Sequence, residues 1–411
     1  MRKSILPGLF ALLIVSALAT CVQAQPRLTT IFNTTGGYPT GLSQGNGGIY
    51  TTAAAPTGGE CGAVFELLPP VAAGGDWTGE LLYAFAAAGG DACNPDLAPI
   101  PAPDGSLYGL ANLGGSYGSG ALYQILPPTS PNGPWTESVL CSIPLSSAGL
   151  SQLPASGLVG GPGGSFYFLA VGGDYGKGQL LQFVPPASHG GSWSVKQLYS
   201  FGQGVYDPVG PDWLIAGPGG SLYGLSGAGG NAIWQLGTVF QLVPPTASGG
   251  SWSVKLLYSF GDRQGDGGDP SSLVLAGDGT LYGATYGINA VNPNGAALAF
   301  QLSPPAAGQS DWTYTILRNF GGLHPDTTML LHVGNLFVGT QSPTGGEIFE
   351  LQPPAAPSGA WNTKLLYHFT NSQTPVSQLV MTPNGTLFGV TGDLDVYSWE
   401  ATGTIYMLPT Q

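Results

Sequence analysis

Ser221-Leu222-Tyr223-Gly224-Leu225, Gly237-Thr238-Val239-Phe240-Gln241-Leu242-Val243-Pro244-Pro245 and Trp252-Ser253-Val254-Lys255-Leu256-Leu257-Tyr258-Ser259-Phe260 are parts of one phrase that this chain writes seven times. With the preceding run 212–216 they make four short apolar segments. Gly217-Pro218-Gly219-Gly220 ends the first, and a Gly-rich loop separates the second from the third. Pro244-Pro245 stops the third, because neither proline can donate to a ladder. Four such runs with turn punctuation predict a four-stranded antiparallel meander, strands a to d. The aromatic of the Leu-Tyr-Gly element recurs at Tyr50, Tyr108, Tyr167, Tyr223, Tyr282, Phe337 and Phe388, in steps of 51 to 59 residues. A period this long means one supersecondary unit per copy, stacked or set in a ring.

The termini choose between stack and ring. Leu28-Thr29-Thr30-Ile31-Phe32 matches strand d of the repeat, whereas the last copy has a (377–382), b (385–390) and c (403–408) and no d. One terminus supplies the strand that the other lacks, which closes a circle; an open solenoid has no reason to split a copy. The expected fold is therefore all-β, a seven-bladed β-propeller. Its blades fall at about 38–86, 95–144, 154–202, 208–261, 270–320, 325–369 and 375–408 completed by 27–32. The single domain runs over 25–411.

Composition agrees. Gly (68) and Pro (36) make a quarter of the 411 residues, but they fall at fixed places between apolar runs and so read as turns. The chain is 43% hydrophobic and 8% charged, the wrong balance for disorder and for long helices. Its net charge is −13, or −15 once Arg2 and Lys3 are removed with a leader. Such a surface repels phosphate backbones and anionic lipid, so neither nucleic acid nor a membrane surface is an expected partner.

The N-terminus reads as a secretory leader over 1–24: Met-Arg-Lys, an apolar 5–18 too short to span a membrane comfortably, then Val22-Gln23-Ala24 before the cleavage point. Lipidation at Cys21 is the rival reading. No second apolar stretch is long enough to anchor the mature chain, and a secreted, extracellular or periplasmic monomer is expected. In an oxidising compartment Cys61 and Cys93, in neighbouring Gly-rich connections of one face, are expected to pair. Cys141 takes the place of the Tyr in Leu-Tyr-Ser-Phe and reads as a small buried hydrophobe.

Gly279-Thr280-Leu281-Tyr282-Gly283, Gly237-Thr238-Val239-Phe240-Gln241-Leu242 and Leu257-Tyr258-Ser259-Phe260 resemble the repeat of the GloVer tandem-repeat family of exported bacterial proteins. The resemblance covers nearly the whole mature chain and implies secretion or surface display. It brings no established chemistry onto these residues. Members often look sorted through a C-terminal anchor; this sequence ends on its last strand, and no such anchor is expected.

Chemical motifs are sparse. Gly114-Gly115-Ser116-Tyr117-Gly118 matches a nucleophile pattern, but in a b–c loop rather than a strand–turn–helix, and chance accounts for it in so glycine-rich a chain. His189, His324, His332 and His368 have no zinc-ligand spacing. Trp77, Trp135, Trp193, Trp252, Trp312 and Trp361 open strand d at one register and read as structural anchors. Trp234, Tyr286, Tyr397 and Trp399 lie off that register in b–c loops and are candidate ligand contacts. Fourteen carboxylates are assigned to the face of b–c and d–a connections against four on the other. Among them Asp266, Asp269, Asp393 and Asp395 are candidate ligand-binding residues. Asp262, Asp266 and Asp269, or Asp393 with Asp395, offer oxygen ligands for Ca²⁺, although Asp is also a routine turn residue; no cofactor is otherwise expected.

These features suit an exported, non-enzymatic binding or display scaffold whose ligand, a carbohydrate or a cationic surface, meets the acidic face. The alternative is an extracellular carbohydrate lyase or hydrolase using carboxylates at the channel mouth. Both kinds of protein occur on propellers, so the fold does not choose.

Overall fold

A computed structural model of the chain describes residues 28–410 apart from 34–37, 46, 55–60, 72–74, 87–89, 96, 145–155, 189–190, 248, 263–264, 288–295, 326, 343–344, 357–358, 371–372 and 394–402. Seven antiparallel sheets form the blades of a propeller. The leader and its cleavage point lie outside the described residues, and no described helix is long and apolar enough to cross a membrane.

Blade 4 shows the repeat: a (Pro208–Ala216), b (Leu222–Gly229), c (Thr238–Val243) and d (Ser253–Ser259) pair in sequence order. Strand a is four residues longer at its start than the sequence suggests. A bulge between Pro211 and Trp213 lets the ladder continue past a proline that could not have donated to it. The split copy closes as expected. The N-terminal strand (Thr29–Asn33) pairs antiparallel with the last strand c (Thr404–Pro409), outermost in blade 7.

The core lies between blades rather than within them. Tyr167, Leu180 and Phe201 of blade 3 share a buried cluster with Leu214, Phe240 and Leu242 of blade 4. At the closure Leu42, Ile49 and Leu67 of blade 1 meet Phe388, Val390 and Ile405 of blade 7. Each phrase contributes a defined contact. Trp77, Trp252, Trp312 and Trp361, which open strand d, reach back to the b-strand aromatic of the preceding blade, whereas Trp193 stacks on Phe166 of its own blade. Ring centroids are 5.0 Å apart for Trp77–Phe388, 5.6 Å for Trp252–Tyr167 and 5.7 Å for Trp361–Tyr282. The structural-anchor reading of these tryptophans holds.

The glycine that opens strand c has an equally specific reason. A Cβ on Gly178 would lie 2.5 Å from Pro211 Cδ, and one on Gly237 2.7 Å from Pro270 Cδ, each proline belonging to the next blade. Gly346 meets Pro375 and Gly403 meets Pro39 in the same way, so this glycine–proline contact also spans the ring closure. Cys61 and Cys93 are bonded, with Cα atoms 4.5 Å apart, and tie blade 1 to blade 2 on one face. Cys141 keeps a free thiol and is half-buried rather than sealed in the core; burial raises its pKa.

Candidate functional site

The inner strands leave a central cavity of about 290 Å³ on the propeller axis. Its wall draws on six blades: Leu97 from blade 2, Ser156 from blade 3, Asp212 and Trp213 from blade 4, Ser271 from blade 5, Thr328 from blade 6, Ser377 and Gln378 from blade 7. The neighbouring inner strands touch one another, which keeps the channel narrow. Thr327 and Thr328 pair parallel with Ser377 and Gln378, Ser271 Oγ donates to Pro325 O at 3.0 Å, and Trp213 Nε1 donates to Leu273 O at 3.3 Å.

Asp212 is the carboxylate of this wall among the described residues. The bulge after Pro211 is what turns it there: one extra residue on strand a leaves its side chain out of the ladder and aims it at the axis. Burial among the inner strands, and then repulsion from the Asp269 carboxylate, push its pKa up to about 7, against a hydrogen bond from its own backbone N–H. The side chain opens onto channel solvent, which moderates that repulsion. Burial also raises Asp269. Asp269 has φ +54° and is held through its backbone, its N–H donating to Leu236 O and its carbonyl accepting from Tyr286 N, both at 2.8 Å. Ser377 combines φ +65° with a buried Oγ that has no protein partner. Two non-glycine residues in sparsely populated backbone regions near one channel are the kind of strain that accompanies function.

The other expected site residues have different fates. Trp234 stands exposed in the b–c loop of blade 4, fixed by Trp234 N–H to Gly261 O at 3.4 Å and Ile233 N–H to Asp262 Oδ1 at 3.1 Å. Tyr286 is half-buried and stacks on His324 at 4.7 Å, with His324 Nδ1–H donating to the Tyr286 carbonyl at 2.8 Å. Asp266 is buried and bonded locally: Tyr258 Oη and Gly261 N–H donate to its carboxylate at 3.1 Å. Tyr397, Trp399 and Asp395 lie outside the described residues, as does the side chain of Asp393. No three His, Cys, Asp or Glu side chains among the described residues converge as metal ligands, so the Ca²⁺ grouping of Asp262, Asp266 and Asp269 does not assemble.

Asp266 belongs to a set. Asp207 accepts from Tyr199 Oη, Gly202 N–H and Gln203 N–H, and Asp91 accepts from Tyr83 Oη and Ala86 N–H. Each Asp lies eight residues after its Tyr and binds the turn that follows strand d. Part of the acidity of this face is therefore a repeated loop brace, and the Tyr-to-Asp spacing is the signal for it. Asp212 has a signal too: prolines 39, 95, 211, 270, 325 and 375 recur before or within strand a, and Asp follows three of them, at 96, 212 and 326.

No curated protein matches the chain. Among solved structures, an ulvan lyase of polysaccharide lyase family PL25, bound to -[GlcA(1-4)Rha3S]-, aligns with a TM-score of 0.58 at 12% identity, over 94% of this chain and 96% of its own. The polysaccharide lyase Uly1 aligns at 0.53 and 11%, over 91% and 90%. PorZ, a surface component of the type-IX secretion system of Porphyromonas gingivalis, aligns at 0.52 and 13%, over 90% of this chain and 46% of PorZ. Identities this low establish a shared propeller fold and carry no activity across. The Gloeobacter/Verrucomicrobia repeat matches residues 97–346, more than half of the sequence, and the chain belongs to that repeat family.

Proposed function

We propose that this protein is an exported binding propeller, without catalytic activity of its own, whose ligand enters the axial cavity from the face of the b–c and d–a connections. The observation that carries the reading is the wall itself: hydroxyl-bearing residues from four blades, Gln378 and one carboxylate around about 290 Å³. That inventory suits a small hydroxylated group such as a sugar residue, held by several hydrogen bonds with Asp212 as the strongest acceptor. The disulfide fits an oxidising, exported setting. Asp212→Asn and Ser377→Ala should each abolish binding found on a glycan array while leaving the melting curve in place; unchanged binding by both variants refutes the channel as the site.

A second reading rests on one observation. Asp212, raised to about 7 beside the Asp269 carboxylate, has the poise of a general acid or base. Two of the structural neighbours are polysaccharide lyases. Ultraviolet absorbance from newly formed unsaturated sugars, present with the wild type and absent with Asp212→Asn, would establish a lyase in place of the binding scaffold.

A further inference from the structure

Four aromatic side chains are exposed among the described residues, and all four stand on one face in consecutive blades. Tyr117 (57% exposed) is in the b–c loop of blade 2, Tyr175 (54%) in that of blade 3, Trp234 (57%) in that of blade 4, and Tyr206 (57%) in the d–a connection between blades 3 and 4. The loops that carry them are built alike. Gly114-Gly115-Ser116-Tyr117-Gly118-Ser119-Gly120 and Gly172-Gly173-Asp174-Tyr175-Gly176-Lys177-Gly178 put the ring at the same place in the same turn. Each turn is pinned to strand d of its own blade by the Ser of the Tyr-Ser-Phe element. Ser142 Oγ accepts from Ser116 N–H at 2.9 Å, Ser200 Oγ from Asp174 N–H at 2.8 Å and Ser259 Oγ from Asn231 N–H at 3.2 Å. The rings are thus held out into solvent by ordered backbone, and leaving them there forgoes the burial that the other aromatics of the repeat enjoy.

We propose that Tyr117, Tyr175 and Trp234, with Tyr206 between the last two, form a track for one neutral glycan chain laid across blades 2 to 4. Each ring has one exposed aliphatic side chain in its own loop, Leu113, Val171, Val205 and Ile233, and Gly, Ser, Asn, Asp and Gln separate these small apolar steps along the chain. A protein interface calls for a contiguous apolar centre, whereas a sugar chain alternates a flat apolar ring face with hydroxyls. Charge decides the class of glycan. With a formal charge of −13 and nine Lys and Arg in all, the surface repels sulfated or uronate polymers. The track rests on the reading of this face as the binding face, but uses residues distinct from the axial wall, so the two fail separately.

The test is affinity electrophoresis of the mature protein through gels containing soluble glucan, mannan or xylan, with dextran sulfate as the polyanion. At least one neutral polymer should retard the protein and dextran sulfate should not. Each of Tyr117→Ala, Tyr175→Ala and Trp234→Ala should weaken retardation about 3- to 10-fold, the worth of one stacked ring, and the triple variant should remove it. Oligosaccharides of the retarding polymer should bind more tightly with length, hexamer over dimer by roughly 10-fold or more, because successive rings are engaged. An unchanged melting curve of the triple variant, and unchanged retardation of Leu126→Ala with Leu365→Ala off this face, keep the result specific. Retardation by no neutral polymer, stronger retardation by dextran sulfate, or an intact triple variant overturns the track. So does self-association in sedimentation that the triple variant abolishes, which would make a second copy the occupant. If Asp212→Asn abolishes retardation and the triple variant does not, the track fails while the channel reading stands; the converse leaves the track and removes the channel.

Discussion

Gly178→Ala tests whether the blades are held in register by a glycine that makes room for the next blade's proline. Gly178 has φ +108°, and a Cβ there would meet Pro211 Cδ at 2.5 Å and Cγ at 3.0 Å, with nothing else nearer than 3.7 Å. Forcing an L side chain into that backbone region costs about 1–3 kcal/mol. Pushing it into a proline ring adds about 1–3 kcal/mol of overpacking. Alanine restrains the unfolded chain and returns about 0.4–1 kcal/mol. The expected loss is about 1–6 kcal/mol, a large share of the ~5–15 kcal/mol that holds a typical domain. At about 2.1 cal/mol/K per residue, the unfolding entropy of this chain is about 0.8 kcal/mol/K, so Tm should fall by about 1–7 °C.

Two further variants isolate the contact. Gly163 has φ +64° and no atom within 4 Å of where a Cβ would sit, so Gly163→Ala should carry only the backbone cost, about 1–2 kcal/mol. Pro211→Ala removes the ring that Gly178→Ala strikes. In urea denaturation the double variant Gly178→Ala with Pro211→Ala should be about 1–3 kcal/mol more stable than the sum of the singles predicts. Additivity within about 0.5 kcal/mol would show that proline does not occupy the glycine's Cβ site, and the account of blade register would be wrong.

Other outcomes follow from single features. Asp212 has a native pKa raised to about 7, so the folded state holds a proton that the unfolded chain has lost, and stability should decline as pH rises from about 4 to 7. Asp212→Asn should flatten that part of a Tm-against-pH curve; a variant that tracks the wild type across that range contradicts it. Tyr123 and Tyr406 are fully buried with hydroxyls that meet no protein partner, while Phe240 and Phe300 fill the same place in blades 4 and 5. Tyr123→Phe and Tyr406→Phe should each be neutral or stabilising by about 1 kcal/mol in urea melts, and a loss of that size would reveal an unrecognised hydrogen-bond partner. Reducing Cys61–Cys93, 32 residues apart, should cost about 3.7 kcal/mol in the chain-entropy account and lower Tm by about 5 °C; equal melting of oxidised and reduced protein would refute that contribution.

The fold is legible in the sequence because each phrase of the repeat performs a contact that chemistry restricts. A glycine opening strand c makes room for the next blade's proline in blades 1, 3, 4, 6 and 7, and a split copy lets 28–32 complete the outer edge of 404–409. The site is less legible. Counting carboxylates per face cannot tell which fold back on their own turns, and Asp91, Asp207 and Asp266 do so. Apolar alternation puts Asp212 at the start of strand a, and does not show that a bulge after Pro211 extends the strand and redirects one side chain to the axis. Tyr117 and Tyr175 escape a search for off-register aromatics because they recur, and recurrence in the tryptophans means packing.

The departures from the repeat separate packing from function. In blades 2, 4, 5 and 7 the glycine after the b-strand aromatic faces a large ring on strand c: Gly109 faces Tyr123, Gly224 faces Phe240, Gly283 faces Phe300 and Gly389 faces Tyr406. A Cβ on any of these glycines would enter that ring. Blade 3 reverses the arrangement. Phe168 stands where the glycine would be, its partner on strand c is Leu181, and Phe168 stacks on Phe183 at 4.5 Å instead. In blade 3 the enlarged position is answered by a reduced one, which conserves core volume; in blades 1 and 6 Thr51 and Val338 take the glycine's place opposite Phe65 and Phe349. Tyr117, Tyr175, Tyr206 and Trp234 have no such counterpart: no neighbouring residue shrinks to receive them, and they remain in solvent. A substitution compensated across the ladder keeps the ring packed. An uncompensated large ring on a pinned loop adds nothing to that packing, and it is on this ground that the four rings are proposed as a contact surface.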